Sequence, residues 1–199
     1  MSNKILLAGD AGTRSSDAYK TIIQYNALLS ALWNSAWASG QFGISTNFDV
    51  ANAQSILTYI NGLPSSVKVS SVFDTGTAAI ITADKWGIAI LTWDGTTPTV
   101  TWANTGTTHM AYASEAAAIA ALGTGNLVPA TGFVTLGYVT VLTGSGVTWT
   151  AGTDALAGGS GGNPATTTHY VSDPSLGGKY GVAAVAQLAN GGDGTVITV

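Results

Sequence analysis

Residues 67–103 read VKVSSVFDTGTAAIITADKWGIAILTWDGTTPTVTWA. Four stretches of it, 67–73, 78–83, 86–93 and 99–103, are rich in Val, Ile, Thr and Trp, residues that suit a pleated, packed surface. Between them stand Asp74-Thr75-Gly76, Asp84-Lys85 and Asp94-Gly95, where carboxylates and glycines favour tight turns. Short β-prone runs broken by turns predict antiparallel strands. The same rhythm continues towards the C-terminus, with strands expected at 132–142 and 147–150 and a last strand or two within 179–199. It is interrupted by YASEAAAIAAL at 112–122, a short Ala-rich helix with Ser114 as N-cap and Gly123 as stop. GGSGG at 158–162 predicts a flexible loop.

Upstream the pattern is helical. Residues 1–17 carry no apolar period and read as an extended arm. From a cap at Ser16 or Asp17, a helix is expected to run to Gly40. Ala18, Ile22, Tyr25, Leu29, Leu32 and Ala36 follow a 4-3-4-3-4 spacing that makes a heptad seam, and Trp33 and Trp37 widen the apolar surface. No residue from Thr21 to Phe48 is charged. Such a helix is either wrapped by its own domain or buried against copies of itself or a partner, because an exposed helix needs a polar back. A second helix is expected from an Asp49 cap through Val50, Ala53, Leu57 and Ile60, ending at Gly62 with Pro64 beyond. The fold class expected is therefore α+β, mainly β. An N-terminal arm and helical docking module, 1–64, precedes an antiparallel sandwich or barrel-like β-domain, 65–199.

Two segments echo one another. Gly87-Ile88-Ala89-Ile90-Leu91 leads through a turn to Val100-Thr101-Trp102, and Gly137-Tyr138-Val139-Thr140-Val141 leads to Val147-Thr148-Trp149. Both read as hairpins of one plan.

Composition narrows the function classes. Charged residues make up 8% of the 199, against about 25% in an ordinary soluble domain. Thr (28) and Gly (26) stand where Lys and Glu are usually found. Six Lys and Arg against ten Asp and Glu give no nucleic-acid footprint and no patch for anionic membranes. With no cysteine there are no disulfides, thiolate metal sites or thiol chemistry. No targeting segment and no apolar run of transmembrane length is visible, so a cytoplasmically made protein is expected.

Catalytic patterns are missing. His109 and His169 each sit beside a Thr run, and no serine lies in a G-x-S-x-G elbow. Ordinary hydrogen bonding explains both histidines, although at a symmetry axis either would suit an ion. The single Glu, Glu115, falls in the first turn of the Ala-rich helix, where its charge suits the helix dipole. Asp74, Asp94 and Asp173 stand in turn contexts and Asp17 and Asp49 in cap contexts, leaving no carboxylate pair for glycoside hydrolysis. The Gly-rich segments at 158–162 and 191–194 match neither a phosphate loop nor a repeated calcium motif. No cofactor is implied. The six Trp residues suit core packing or subunit contacts; Trp93 and Trp102, if exposed at their hairpin, would make a sugar-stacking platform.

Residues 111–173 carry a resemblance. An Ala-rich helix, the step Leu127-Val128-Pro129, the strand Leu136-Gly137-Tyr138-Val139-Thr140-Val141 and then WTAGTDAL at 149–156 resemble a module of tailed-bacteriophage virion proteins, which serve as head decoration proteins, head fibres or tail-fibre components. The resemblance covers about a third of the chain and implies a charge-poor β-domain assembled as an oligomer, frequently a trimer. No collagen-like or coiled-coil shaft is present, which favours a compact head protein over a fibre.

The residues agree with this independently. The 38 residues between Glu115 and Asp154 are uncharged, as are the 18 that follow Asp154. A monomer stays soluble through surface charge, so such segments belong in subunit interfaces. The function expected is a non-enzymatic virion protein, a homotrimer that binds the major capsid protein or another virion protein and stabilises the capsid. Ala18, Ile22, Tyr25, Leu29, Leu32, Trp33, Ala36 and Trp37 would supply the interface. The alternatives are a tail-fibre or receptor-binding protein that grips host glycans through Trp93 and Trp102, and an enzyme acting on surface polysaccharide.

Overall fold

The strand Trp86–Trp93 has almost no residue to spare for water, and the fold is arranged around that fact. In a computed structural model that describes residues 20–22, 35–36, 41–45, 48–76, 79–104, 109–158 and 162–172, the chain is mainly β and every named strand pair is antiparallel. Contacts divide it into a unit of Asn34–Gly177 and a unit of the two flanking segments. Of the flanking unit only residues 20–22 are described; they are helical.

The larger unit contains β1 (Ser35–Ala36), β2 (Phe42–Ile44), β3 (Val50–Asn52), β4 (Ile56–Ile60), β5 (Leu63–Val67), β6 (Val72–Phe73), β7 (Ile80–Ile81), β8 (Trp86–Trp93) and β9 (Pro98–Trp102). A helix, α1 (Glu115–Ala120), and a 3₁₀ turn (Gly125–Leu127) precede β10 (Val134–Leu142), β11 (Trp149–Thr150) and β12 (Thr167–Ser172). The main sheet has the order β12-β10-β8-β9, and smaller sheets are β1-β4-β5, β2-β3-β6 and β11-β7.

Both faces of the main sheet are covered. Ala89, Leu91 and Trp93 of β8, with Val139 and Val141 of β10, join a core that includes Phe73, Ile81, Trp102, Met110 and Trp149. Ile88 and Ile90 pack on the other side with Ala118 of α1 and Leu127. Burial on two sides explains why GIAIL runs apolar without alternation, as strands do when neither face meets solvent. At about 25 cal/mol per Å² of apolar surface removed from water, this two-sided packing is the main stabilising contribution.

Three of the described tryptophans, Trp93, Trp102 and Trp149, are core residues. Trp93 is 7% exposed and Trp102 3%, which corrects the expectation of an exposed platform. Each indole N–H is satisfied inside: Trp93 Nε1 donates to Ser65 Oγ (3.2 Å), Trp102 Nε1 to the Thr75 carbonyl (2.9 Å) and Trp149 Nε1 to the Ala155 carbonyl (3.0 Å). A buried indole needs such a partner.

Three further expectations are corrected. The helix expected from Asp49 to Gly62 is two strands, β3 and β4. Burial along β4 has a period of two: Ile56, Thr58 and Ile60 are buried, while Leu57 between them is exposed. Asn61 (φ 51°) and Gly62 (φ 76°) then form the two-residue turn into β5, where both positive φ angles select Asn-Gly. Asp49 caps no helix; its Oδ1 accepts the Thr75 N–H at 3.2 Å. The first helix does not reach Gly40, because Ser35 and Ala36 pair with Tyr59 and Thr58 as β1. The expected boundary at 64/65 falls inside the β4–β5 hairpin.

The hairpin β8–β9 forms as expected, and the Asp94 carboxylate accepts the N–H groups of Thr96 and Thr97 at 2.7 and 2.6 Å in its turn. The second, echoing hairpin does not form. β10 lies between β8 and β12, and β11 pairs with β7. The two echoing tryptophans nevertheless meet, Trp102 and Trp149 packing with ring centroids 5.4 Å apart. β12, in the Thr-rich stretch after the GGSGG segment, is a strand that no expectation covered. The arm at 1–17 and the strands expected within 179–199 lie outside the described residues.

Two substitutions test this packing. Gly137 faces Ser172 beside a bulge in β10, and a Cβ there would lie 2.1 Å from the Val171 carbonyl oxygen. Backbone cannot swing aside as a side-chain tip can, so Gly137→Ala should cost about 1–3 kcal/mol, read as a lowered denaturation midpoint at unchanged slope. Tyr170 of β12 is packed against the main core with its hydroxyl buried and unpartnered, and burial pushes the phenol up to about 12. Tyr170→Phe removes that orphan group and should leave stability unchanged or raise it by up to about 1 kcal/mol.

Candidate functional site

The polar chemistry of the main sheet gathers where α1 starts. Ser114 caps the helix, its Oγ accepting the Ala117 N–H at 3.2 Å, and this sets Glu115 in the first turn as expected. From there Glu115 reaches across two strands. Its Oε1 accepts the Thr140 hydroxyl at 2.6 Å and lies 2.6 Å from His169 Nδ1. Thr140 of β10 and His169 of β12 are direct ladder partners, so the carboxylate closes a triangle over one point of the sheet. The Trp86 ring stands beside the imidazole at 5.8 Å between centroids.

The electrostatics follow from this geometry. Burial pushes the Glu115 carboxyl up, but the Thr140 hydrogen bond, the His169 hydrogen bond and the His169 charge together outweigh it and hold the group below its ordinary 4.5. A carboxylate that orients an imidazole is half of a catalytic arrangement. The other half is a nucleophile, and the hydroxyl in reach, Thr140, is fully buried and donates to the same carboxylate oxygen. The triangle therefore ties helix to sheet. Among the described residues, no three His, Asp or Glu side chains gather closely enough to hold a metal ion. His109 is exposed.

Asp154, unlike Glu115, is a buried carboxylate. Its Oδ2 accepts the Thr150 N–H and its Oδ1 the Asn163 N–H, both at 2.6 Å, and these bonds close the loop between β11 and β12. Its role is architectural, as Asx turns are elsewhere in the chain.

Of the expected interface residues, two are described. Ile22 is helical and 57% exposed. Ala36 is not a seam residue; it belongs to β1 and is buried in the main core. Ala18, Tyr25, Leu29, Leu32, Trp33 and Trp37 lie outside the described residues. Apolar surface appears where no expectation placed it, on the small sheets. Leu63 is 70% exposed, Leu57 46%, and Ile44, Val69 and Val72 are also bare. Residues 50–67 carry no charge, so the β4–β5 hairpin presents Leu57 and Leu63 without a charged neighbour along its own chain. Asn61-Gly62 was the sequence signal for this hairpin.

Comparison with protein-family models, with curated proteins and with solved structures finds no match for this chain. No helix among the described residues is long and apolar enough to cross a membrane.

Glu115→Gln tests the triangle. A carboxylate held below its ordinary value contributes stability that is complete above about pH 4.5 and is lost as the pH falls through the lower folded-state value. The pair is partly exposed and screened, so the variant should lose only about 0.5–1.5 kcal/mol at neutral pH. In urea titrations across pH, the gap between the two proteins should close below pH 4.5.

Proposed function

We propose that this chain is a non-enzymatic structural protein of a tailed-bacteriophage particle, a homo-oligomer with a trimer as the expected form, that docks on the capsid as a decoration, cement or head-fibre protein. The observation that carries this reading is the uncharged β4–β5 hairpin with Leu57 and Leu63 bare to water. Exposed apolar surface without interspersed charge is what contact surfaces have and what soluble monomers avoid. The charge-free segment 21–48 and the resemblance carried by residues 111–173 support it from the sequence side.

On this reading Ala18, Ile22, Tyr25, Leu29, Leu32, Trp33 and Trp37 supply docking contacts and, separately, so do Leu57 and Leu63 of the β4–β5 hairpin. The β-rich remainder faces solvent. Mechanism here means stabilisation. Each Å² of apolar surface buried on the lattice raises the free energy of capsid opening by at most about 25 cal/mol, less the cost of association. The glycan-binding alternative drew on Trp93 and Trp102, whose rings are buried and offer no stacking face, so nothing favours it as a second reading.

Light scattering and co-sedimentation with empty heads or with tails test the proposal. The protein should run heavier than one chain and sediment with heads. Leu29→Asp, Leu32→Asp or Leu57→Asp should weaken assembly or head binding while the strand signal in circular dichroism stays. A chain that remains single at high concentration and sediments with neither heads nor tails overturns the reading.

A further inference from the structure

The turn that closes the β4–β5 hairpin has chemistry of its own. Asn61 and Gly62 are its two central residues, both exposed and both at positive φ, and the ladder resumes at the pair Ile60 and Leu63. In a two-residue hairpin loop the bonds of the ladder belong to the flanking pair, so the Gly62 N–H takes no part in it. Gly62 has no side chain to crowd an approach to its nitrogen. We propose that Asn61-Gly62 is a site of spontaneous covalent modification, at which the chain converts its own asparagine amide to a carboxylate.

The step balances with water as its co-reactant. The Gly62 backbone nitrogen, losing its proton to solvent base, bonds to Asn61 Cγ; the Cγ–NH₂ bond breaks and ammonia leaves with a proton. Water then opens the five-membered imide at either carbonyl. One opening restores the peptide with aspartate at 61. The other moves the chain onto the side-chain carbonyl as isoaspartate, inserting a methylene into the backbone. Asparagine and water become aspartate or isoaspartate and ammonia.

Other described asparagines lack this combination. Asn52 is buried and precedes Ala53. Asn104 and Asn126 precede Thr and Leu, and Asn163 precedes Pro164, which has no N–H. Asn190-Gly191 repeats the dipeptide outside the described residues.

The location gives the reaction consequences. Ile60 packs against Gly95 of the neighbouring turn, and Ser65 Oγ links the Trp93 indole to the Gly95 carbonyl (3.4 Å). An inserted methylene at 61 disturbs the register that holds this junction. A new carboxylate also enters the uncharged segment 50–67, two positions from Leu63. The modification proposal itself does not depend on what the hairpin docks to.

The test is incubation of the whole folded chain in warm, mildly alkaline buffer, followed by peptide-level mass spectrometry that separates Asn61 from Asn190 and labelling of isoaspartate by its methyltransferase. Asn61 should gain the mass of one Asn-to-Asp conversion at a rate roughly tenfold above Asn104 and Asn126, a barrier lower by about 1.4 kcal/mol, with isoaspartate among the products. Gly62→Ala should slow it by about the same factor. Asn61→Gln, which needs a six-membered ring, should abolish the signal even if the alanine variant folds poorly. Conversion at Asn61 no faster than at Asn104 and Asn126, conversion only after unfolding in urea, or an unchanged rate in both variants overturns the proposal.

Discussion

The whole arrangement depends on burying the strand Trp86–Trp93 on two sides at once. A strand with one wet face can alternate, but Ile88 and Ile90 need a cover as much as Ala89 and Leu91 do. The chain supplies one cover from the strands on either side of β8 in sequence, through Phe73, Ile81, Trp102 and Trp149, and the other from α1 and the turn behind it. Glu115 then fixes the lighter cover in place. A six-residue helix holds little free energy of its own, so its attachment to Thr140 and His169 has a purpose that a longer helix would not need.

Scarcity of charge shapes how the polar groups are handled. Thr hydroxyls and backbone carbonyls take the partners that ion pairs supply elsewhere: Thr143 Oγ1 donates to the Thr82 carbonyl and accepts the Lys85 N–H, and Thr75 Oγ1 donates to the Phe48 carbonyl. Neutral bonds of this kind hold loops together without the desolvation cost of burying ions. Three of the described aspartates are used one at a time to close a turn or loop through backbone N–H groups: Asp74 onto Gly76, Asp94 onto Thr96 and Thr97, Asp154 onto Thr150 and Asn163.

What was legible in the sequence was local. The strands β8 and β9, the turn at Asp94-Gly95 and the cap at Ser114 follow from residue type and spacing within a dozen positions. The helix expected at 49–62 fails although the spacing of Val50, Ala53, Leu57 and Ile60 suits a helix: tertiary pairing chose strands instead, burying Thr58 beside Ile56 and Ile60 and leaving Leu57 bare. Asn61-Gly62, the strongest short hairpin signal in the stretch, was the residue-level evidence for the second choice. The triangle of Glu115, Thr140 and His169 was beyond reach for a different reason. Its members are 25 and 54 positions from the glutamate, and only the pairing of β10 with β12 brings them together.

The hairpin β4–β5 shows one constraint acting at two levels. Its register must keep Ile56, Thr58 and Ile60 inward, since a slip by one residue would turn Leu57 to the core and those three to water. A two-residue turn with positive φ at both positions enforces that register, and Asn-Gly is the pair that adopts it at least cost. The features that make it the best turn are a short amide side chain and a neighbour without one, and these same features bring an electrophilic carbon and a bare nitrogen together in the chain. Structural fitness and chemical lability at residue 61 thus have one origin. A sequence that kept the two-residue turn without the lability could place glycine at both central positions, but a second glycine loses more conformational freedom on folding, and the register that keeps the core residues of β4 in place would be held less firmly.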